Sequence, residues 1–215
     1  MQINIQTPST LKEINLRQYK AYIKAINKYQ DSDTQLRLKM LEIFCNVPYT
    51  DAIKFKAKDV TRITNRLVKL LEETPELVTK FEMGDTKFGF IPKLDDMSFG
   101  EYIDLDSSIS DWEIMNMAMA VLYRPIDKEK GKFYTVRDYE GDIYHEAMNN
   151  MPLDAVISSI VFFYRLGNDL SKSMMRYLEE ENQMDSTQLQ ALEESGVGIN
   201  LFTHSLRETL RDSRI

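Results

Sequence analysis

Apolar positions recur at helical spacing through the first third of the chain. Leu16, Tyr19, Ile23 and Ile26 make one stripe between Asn15 and Tyr29. Leu36, Met40 and Phe44, widened by Leu38 and Leu41, make a second. Val60, Ile63, Leu67, Leu70 and Leu71 make a third between Asp59 and Glu73. The period then shortens to two. Residues 79–83 and 86–91 alternate around Gly84-Asp85, which predicts a hairpin on a two-residue turn with glycine first, closed by Pro92. Helical spacing returns at residues 99–105 and 112–122, and again in the apolar run 153–166. Gly167-Asn168 is expected to kink or end that last helix before 169–181. Residues 128–132 read as a solvated turn and Phe133 to Val136 as a short strand. After a joint at Gly196 and Gly198, residues 200–212 carry Leu201, Phe202, Leu206 and Leu210 on one helical face.

Helix starts suggest that one device is used twice. Asn15 and Gln18 stand as N-cap and third helical residue, and so do Ser98 and Glu101. Each pair can close a capping box, in which the cap side chain accepts a first-turn N–H and the later side chain reaches back to the cap N–H. Ile14 with Tyr19, and Met97 with Tyr102, add a hydrophobic staple to each. Ser32-Asp33-Thr34-Gln35 and Ser110-Asp111-Trp112-Glu113 repeat the box, each leading into an apolar run that stops at Pro48 or Pro125. Asp59 begins one helix of a third pair and Asp154 lies near the start of the other. The offset between copies is not constant, which places an insertion in the second copy within Asp127 to Asp142. The expected fold is therefore mainly α: two diverged helical halves from an internal duplication, with a small β-hairpin near residues 79–91. The expected divisions are 1–78, the hairpin at 79–92, a second half at 93–184 and a C-terminal helical extension at 185–215.

Composition narrows the class. A chain of 215 residues that is 43% hydrophobic buries roughly 70% of its unfolded surface. A net charge of −7 with both signs interspersed argues against a broad nucleic-acid footprint. No apolar stretch reaches the length of a membrane span, and residues 1–6 carry neither the basic nor the apolar part of a signal peptide. A single cysteine, Cys45, excludes an internal disulfide and a cysteine-rich metal site, in keeping with a reducing cytoplasm.

The chemistry-bearing residues do not assemble into a motif. His145 and His204 are the two histidines, far apart in sequence, and His145-Glu146 lacks the second histidine of a helical zinc site. Cys45 lies in an apolar run and reads as a small buried residue. Asp95-Asp96, the set Asp104, Asp106 and Asp111, and Glu179-Glu180-Glu181 are dense in carboxylates. They lack the glycine and terminal glutamate of a calcium loop and read as solvated or helix-terminal charges. Gly84 and Gly89, and Gly196 and Gly198, match no phosphate-binding loop. Met115, Met117, Met119, Met148, Met151, Met174 and Met175 read as core filler, with a partner-binding groove as the alternative. No catalytic, cofactor-binding or metal-ligating residue is assigned, and no cofactor is expected.

One segment carries a family look: Phe81-Glu82-Met83-Gly84-Asp85-Thr86-Lys87-Phe88-Gly89-Phe90-Ile91-Pro92, running on through Lys93 to Leu105. It is joined by Met119 to Ile126, by Met151-Pro152-Leu153 with Val161 to Tyr164, and by Gly196 to Asn200. Over most of the chain after residue 9 the sequence resembles small proteins encoded among the virion and tail genes of tailed bacteriophages of Bacteroidetes, including the crAss-like group. The resemblance implies a non-enzymatic virion protein, made in the host cytoplasm, packed in multiple copies in the capsid or tail as cargo and released with the genome. The alternative it leaves open is a tail assembly chaperone or other helper that binds a structural protein. Implied partners are portal, tail or capsid components and copies of itself, with no specific nucleic acid and no membrane. The family motifs are turns, caps and core positions, so no catalytic residue is implied.

Overall fold

The computed structural model describes residues 5–94 and 97–180. Within them lie eight α-helices and one four-stranded sheet. The predicted glycine joint and the helix over 200–212 lie outside the described residues.

Four helices come first: α1 (Leu16–Lys28), α2 (Asp33–Cys45), the single turn α3 (Tyr49–Ala52) and α4 (Ala57–Leu71). Local side-chain rules set their ends. The Asn15 carboxamide accepts from Gln18 N at 2.9 Å while Gln18 Oε1 accepts from Asn15 N at 3.0 Å, so the predicted box closes. Ser32 caps α2 by accepting from Gln35 N at 3.4 Å. That helix ends at Asn46, in the left-handed region at φ 52°, which asparagine tolerates better than most residues, and Pro48 prevents its continuation. On α1 the fully buried stripe is Leu16, Tyr19, Tyr22 and Ala25, with Ile23 and Ile26 at its margin. The N-terminus of α1 is hooked to the later chain: Leu16 N donates to the Met151 carbonyl and Leu153 N to that of Ile14.

The sheet runs in the order β1 (Lys80–Met83), β2 (Thr86–Phe90), β3 (Tyr123–Lys130), β4 (Phe133–Val136), antiparallel throughout. Both hairpins turn on two residues with glycine first, at Gly84 (φ 59°) and Gly131 (φ 63°). A side chain there would be strained, whereas glycine adopts this conformation freely. Between β2 and β3 come α5 (Phe99–Ser108) and α6 (Met115–Leu122), and α6 passes into β3 without a loop. The single turn α7 (His145–Met148) and the long α8 (Leu153–Glu180) follow. The core forms where α6, the first turns of α8 and the inner face of the sheet meet. Ala118, Met119, Val121, Leu122, Tyr123, Leu153, Val156 and Ile160 have no solvent exposure. Tyr123 packs against the Phe81 and Phe90 rings at 5.3 Å each, and its hydroxyl donates to the Val78 carbonyl at 2.7 Å.

This is a mixed α/β fold, which corrects the mainly helical expectation. The strand that was missed is β3. Pro125 and its charged successors read as the end of a helix followed by a solvated turn, yet they lie in the sheet. The carbonyl of Pro125 accepts from Arg137 N at 2.9 Å. Its missing N–H shares that side of the strand, past the last β3–β4 pair at Ile126 and Val136, so no bond to β2 is lost. The internal duplication fails with it. Ser98 and Glu101 do close a box, but Ser110 is not the N-cap of the next helix: α6 begins at Met115 behind Ile114, and Asp111 Oδ1 accepts from Glu113 N at 2.8 Å within a turn. The staples differ too, since Tyr19 is buried while Tyr102 is 55% exposed. Gly167-Asn168 neither ends nor interrupts α8.

Candidate functional site

A buried ion pair lies where α5 meets the sheet. Arg124, the second residue of β3, is pulled into an apolar run and must carry its charge with it. Its Nη2 meets Glu101 Oε1 at 2.5 Å, with side-chain exposures of 11% and 9%, and its Nε donates to the Val121 carbonyl at 3.1 Å. The other Glu101 oxygen accepts from Ser98 N at 2.5 Å. One carboxylate thus closes the α5 capping box and neutralises the buried guanidinium. A buried charge left without such a partner costs several kcal/mol (roughly 3–5).

Next to this pair stands Tyr139, whose ring lies 5.6 Å below the Arg124 guanidinium. Its hydroxyl donates to Asp104 Oδ2 at 3.0 Å and lies 3.5 Å from His145 Nε2. Burial, then the hydrogen bond to Asp104, pushes the phenol up to about 12, so it stays protonated near neutrality. His145 also accepts, through its carbonyl, from Asn116 Nδ2 at 2.8 Å. A half-open cleft of about 380 Å³ borders Arg124 and is lined also by Lys93, Met97, Arg137 and Asp138.

The sequence candidates are dispersed. Cys45 is buried at the end of α2, and burial raises its thiol, which leaves it a poor nucleophile. Of the acidic sets, Asp104 binds Tyr139 and Asp111 caps a turn, while Asp106 is exposed. Asp95, Asp96, Glu181 and His204 lie outside the described residues. Met115, Met119, Met148 and Met151 are completely buried core residues, whereas Met117 is 37% exposed. Among the described residues no group of three or more His, Cys, Asp or Glu is placed to hold a metal ion, and no helix is long and apolar enough to cross a membrane.

A second polar hub joins α1, α6 and α7. Lys20 Nζ donates to the Glu113 carbonyl at 2.9 Å, to Asn149 Oδ1 at 3.0 Å and to Asn116 Oδ1. Burial lowers its pKa against the pull of Glu113. Each polar group in these clusters holds another element in place. Sequence reasoning assigned Glu101 to the cap alone and gave Arg124 no role. The signal was present: an arginine between Tyr123 and Pro125 at the end of an apolar run requires a buried partner. Neither a family model, nor a curated protein, nor a solved structure matches this chain.

Proposed function

We propose that this chain is a non-enzymatic protein of a tailed-bacteriophage particle, packed in multiple copies with the capsid or tail components and released with the genome. The observation that carries this reading is the place in the fold of the segments that resemble small virion proteins. Phe81 to Leu105 comprises the first hairpin and most of α5; Met119 to Ile126 comprises the junction from α6 into β3. The Glu101–Arg124 pair fastens these two segments to each other. Those segments supply turns, caps and core positions, which supports a role in packing. The exposed apolar side chains of α5, with Phe99 at 78% and Tyr102 at 55%, support association with other proteins.

Quantitative mass spectrometry of purified particles from the encoding phage tests this. Abundant copies in washed particles are expected. Presence in infected cells with absence from particles overturns the reading in favour of an assembly helper released before maturation.

A further inference from the structure

The outer face of α5 is built like a ligand helix. Glu101, Leu105 and Ser108 point inward, and Phe99, Tyr102, Ile103 and Asp106 follow one another outward at i, i+3, i+4 and i+7. Phe99, Tyr102 and Ile103 are 78%, 55% and 50% exposed. That spacing is how amphipathic helices anchor in apolar grooves. Along the chain the charges here are acidic: residues 98–113 hold Glu101, Asp104, Asp106, Asp111 and Glu113 and no lysine or arginine. Glu101 and Glu113 are paired with Arg124 and Lys24, so Asp104, Asp106 and Asp111 give the exposed side its negative sign.

A groove of the opposite character lies elsewhere on the same chain. Leu38, Ala52, Ile53, Phe55, Ala57 and Val60 line a cleft of about 410 Å³ between α2, α3 and α4. Ile53 is 54% exposed. Lys54, Lys56 and Lys58, all exposed, alternate with the lining residues Ile53, Phe55 and Ala57. Asp33 and Arg37 at one end neutralise each other at 2.7 Å, and Asp51 pairs with Lys54 at 2.8 Å. Lys56 and Lys58 flank the lining residues Phe55 and Ala57 along the chain and are exposed, so the segment that borders the groove is basic.

We propose that copies of this chain associate head to tail, with the Phe99–Tyr102–Ile103–Asp106 face of α5 in one copy seated in the α2–α4 groove of the next. The occupant is a second copy because both members of a complementary pair, acidic apolar helix and basic apolar groove, are displayed by one chain. The two surfaces differ, so the contact is heterologous: it propagates past a dimer into a ring or a filament. A ten-residue helix makes a contact at the small end of specific interfaces, so assembly builds with concentration, as on packing into a confined particle. This deepens the multi-copy reading above and rests on it only for its setting.

Sedimentation velocity and light scattering on the purified full-length protein test the contact. Species beyond dimer are expected, growing with concentration and shrinking as salt screens the charges. A face variant, Asp106→Lys, and a groove variant, Lys56→Glu with Lys58→Glu, each weaken association by on the order of tenfold. All three positions are exposed, and circular dichroism verifies that folding is retained. Mixing the two variants restores assembly, because each reversed surface then meets its complement. A wild-type chain that stays monomeric at every concentration overturns the proposal. So does association that ignores both variants, or a mixture that fails to recover. None of these results bears on whether the protein is found in particles, which the virion measurement decides separately.

Discussion

Replacing Arg124 with methionine keeps most of the side-chain volume and removes the charge that Glu101 faces. Glu101 would then retain Ser98 N on one oxygen and nothing ionic on the other, at 9% side-chain exposure. An uncompensated buried charge of this kind costs about 3–5 kcal/mol. For a domain of this size that corresponds to a fall in Tm of roughly 6–20 °C, a large part of a total stability of about 5–15 kcal/mol. Two comparisons set the scale. Ser98→Ala removes only the cap acceptor and costs about 1 kcal/mol. Arg17→Ala removes a pair with Glu146 whose partners are 59% and 80% exposed, and costs less than about 1 kcal/mol through that pair. Urea unfolding of Arg124→Met, Glu101→Leu and the double variant completes a cycle. The double variant loses clearly less than the sum of the singles, since two apolar side chains leave no orphaned charge. A cost below about 1 kcal/mol for Arg124→Met, or strict additivity, would refute the claim that this pair locks α5 to the sheet.

Other consequences follow from neighbouring geometry. A Cβ on Gly89 would fall 2.5 Å from Tyr134 Cε2, and that ring is pinned by its hydroxyl donating to the Phe90 carbonyl at 2.7 Å. Gly89→Ala therefore costs about 1–3 kcal/mol by overpacking and much less in a Tyr134→Ala background, as read by chemical denaturation. Hydrogen bonds from Lys80 and then Lys87 pull Glu129 down from an ordinary 4.5 to about 2. A carboxylate lowered on folding contributes stability that is full above its unfolded value and lost as pH falls towards the folded one. Melting from pH 5 to 2 is accordingly steeper for the wild type than for Glu129→Gln, and parallel curves would contradict the link. Finally, a folded chain of about 17 Å radius of gyration is wider than a helix of about 10–12 Å, so exit through a narrow channel requires unfolding. A cysteine pair joining α2 to α4, which pack on each other, should block delivery of labelled protein into cells when oxidised and allow it when reduced; equal delivery of both forms rules out threading.

What was legible in the sequence is what local chemistry decides. The boxes at Asn15 and Ser98, the cap at Ser32, and the glycine-first turn at Gly84 were each readable within six residues, because each is a side chain or a φ angle serving its own backbone. β3 was illegible for a physical reason. Its first residues, Tyr123 to Pro125, are buried as in a central strand, while Asp127 to Lys130 are exposed, so no single period covers it. The register also shifts between Ile126 and Lys128, which breaks the alternation. Ser110 misled in the opposite sense, offering cap chemistry where the chain makes a turn. The polar cluster around Arg124 joins residues from α5, β3 and the segment before α7. Only the tertiary fold brings Glu101, Tyr139 and His145 together; the sequence shows that Arg124 needs a partner without showing which.

The proposed role in a phage particle turns on one number, the count of this chain in purified particles. Particles from the encoding phage, treated with protease before and after opening, would be analysed by mass spectrometry against labelled standards. Many copies per particle are expected, protected until the particle is opened and depleted once the genome has left. Absence from particles, in lysates where the protein is plainly made, would contradict it.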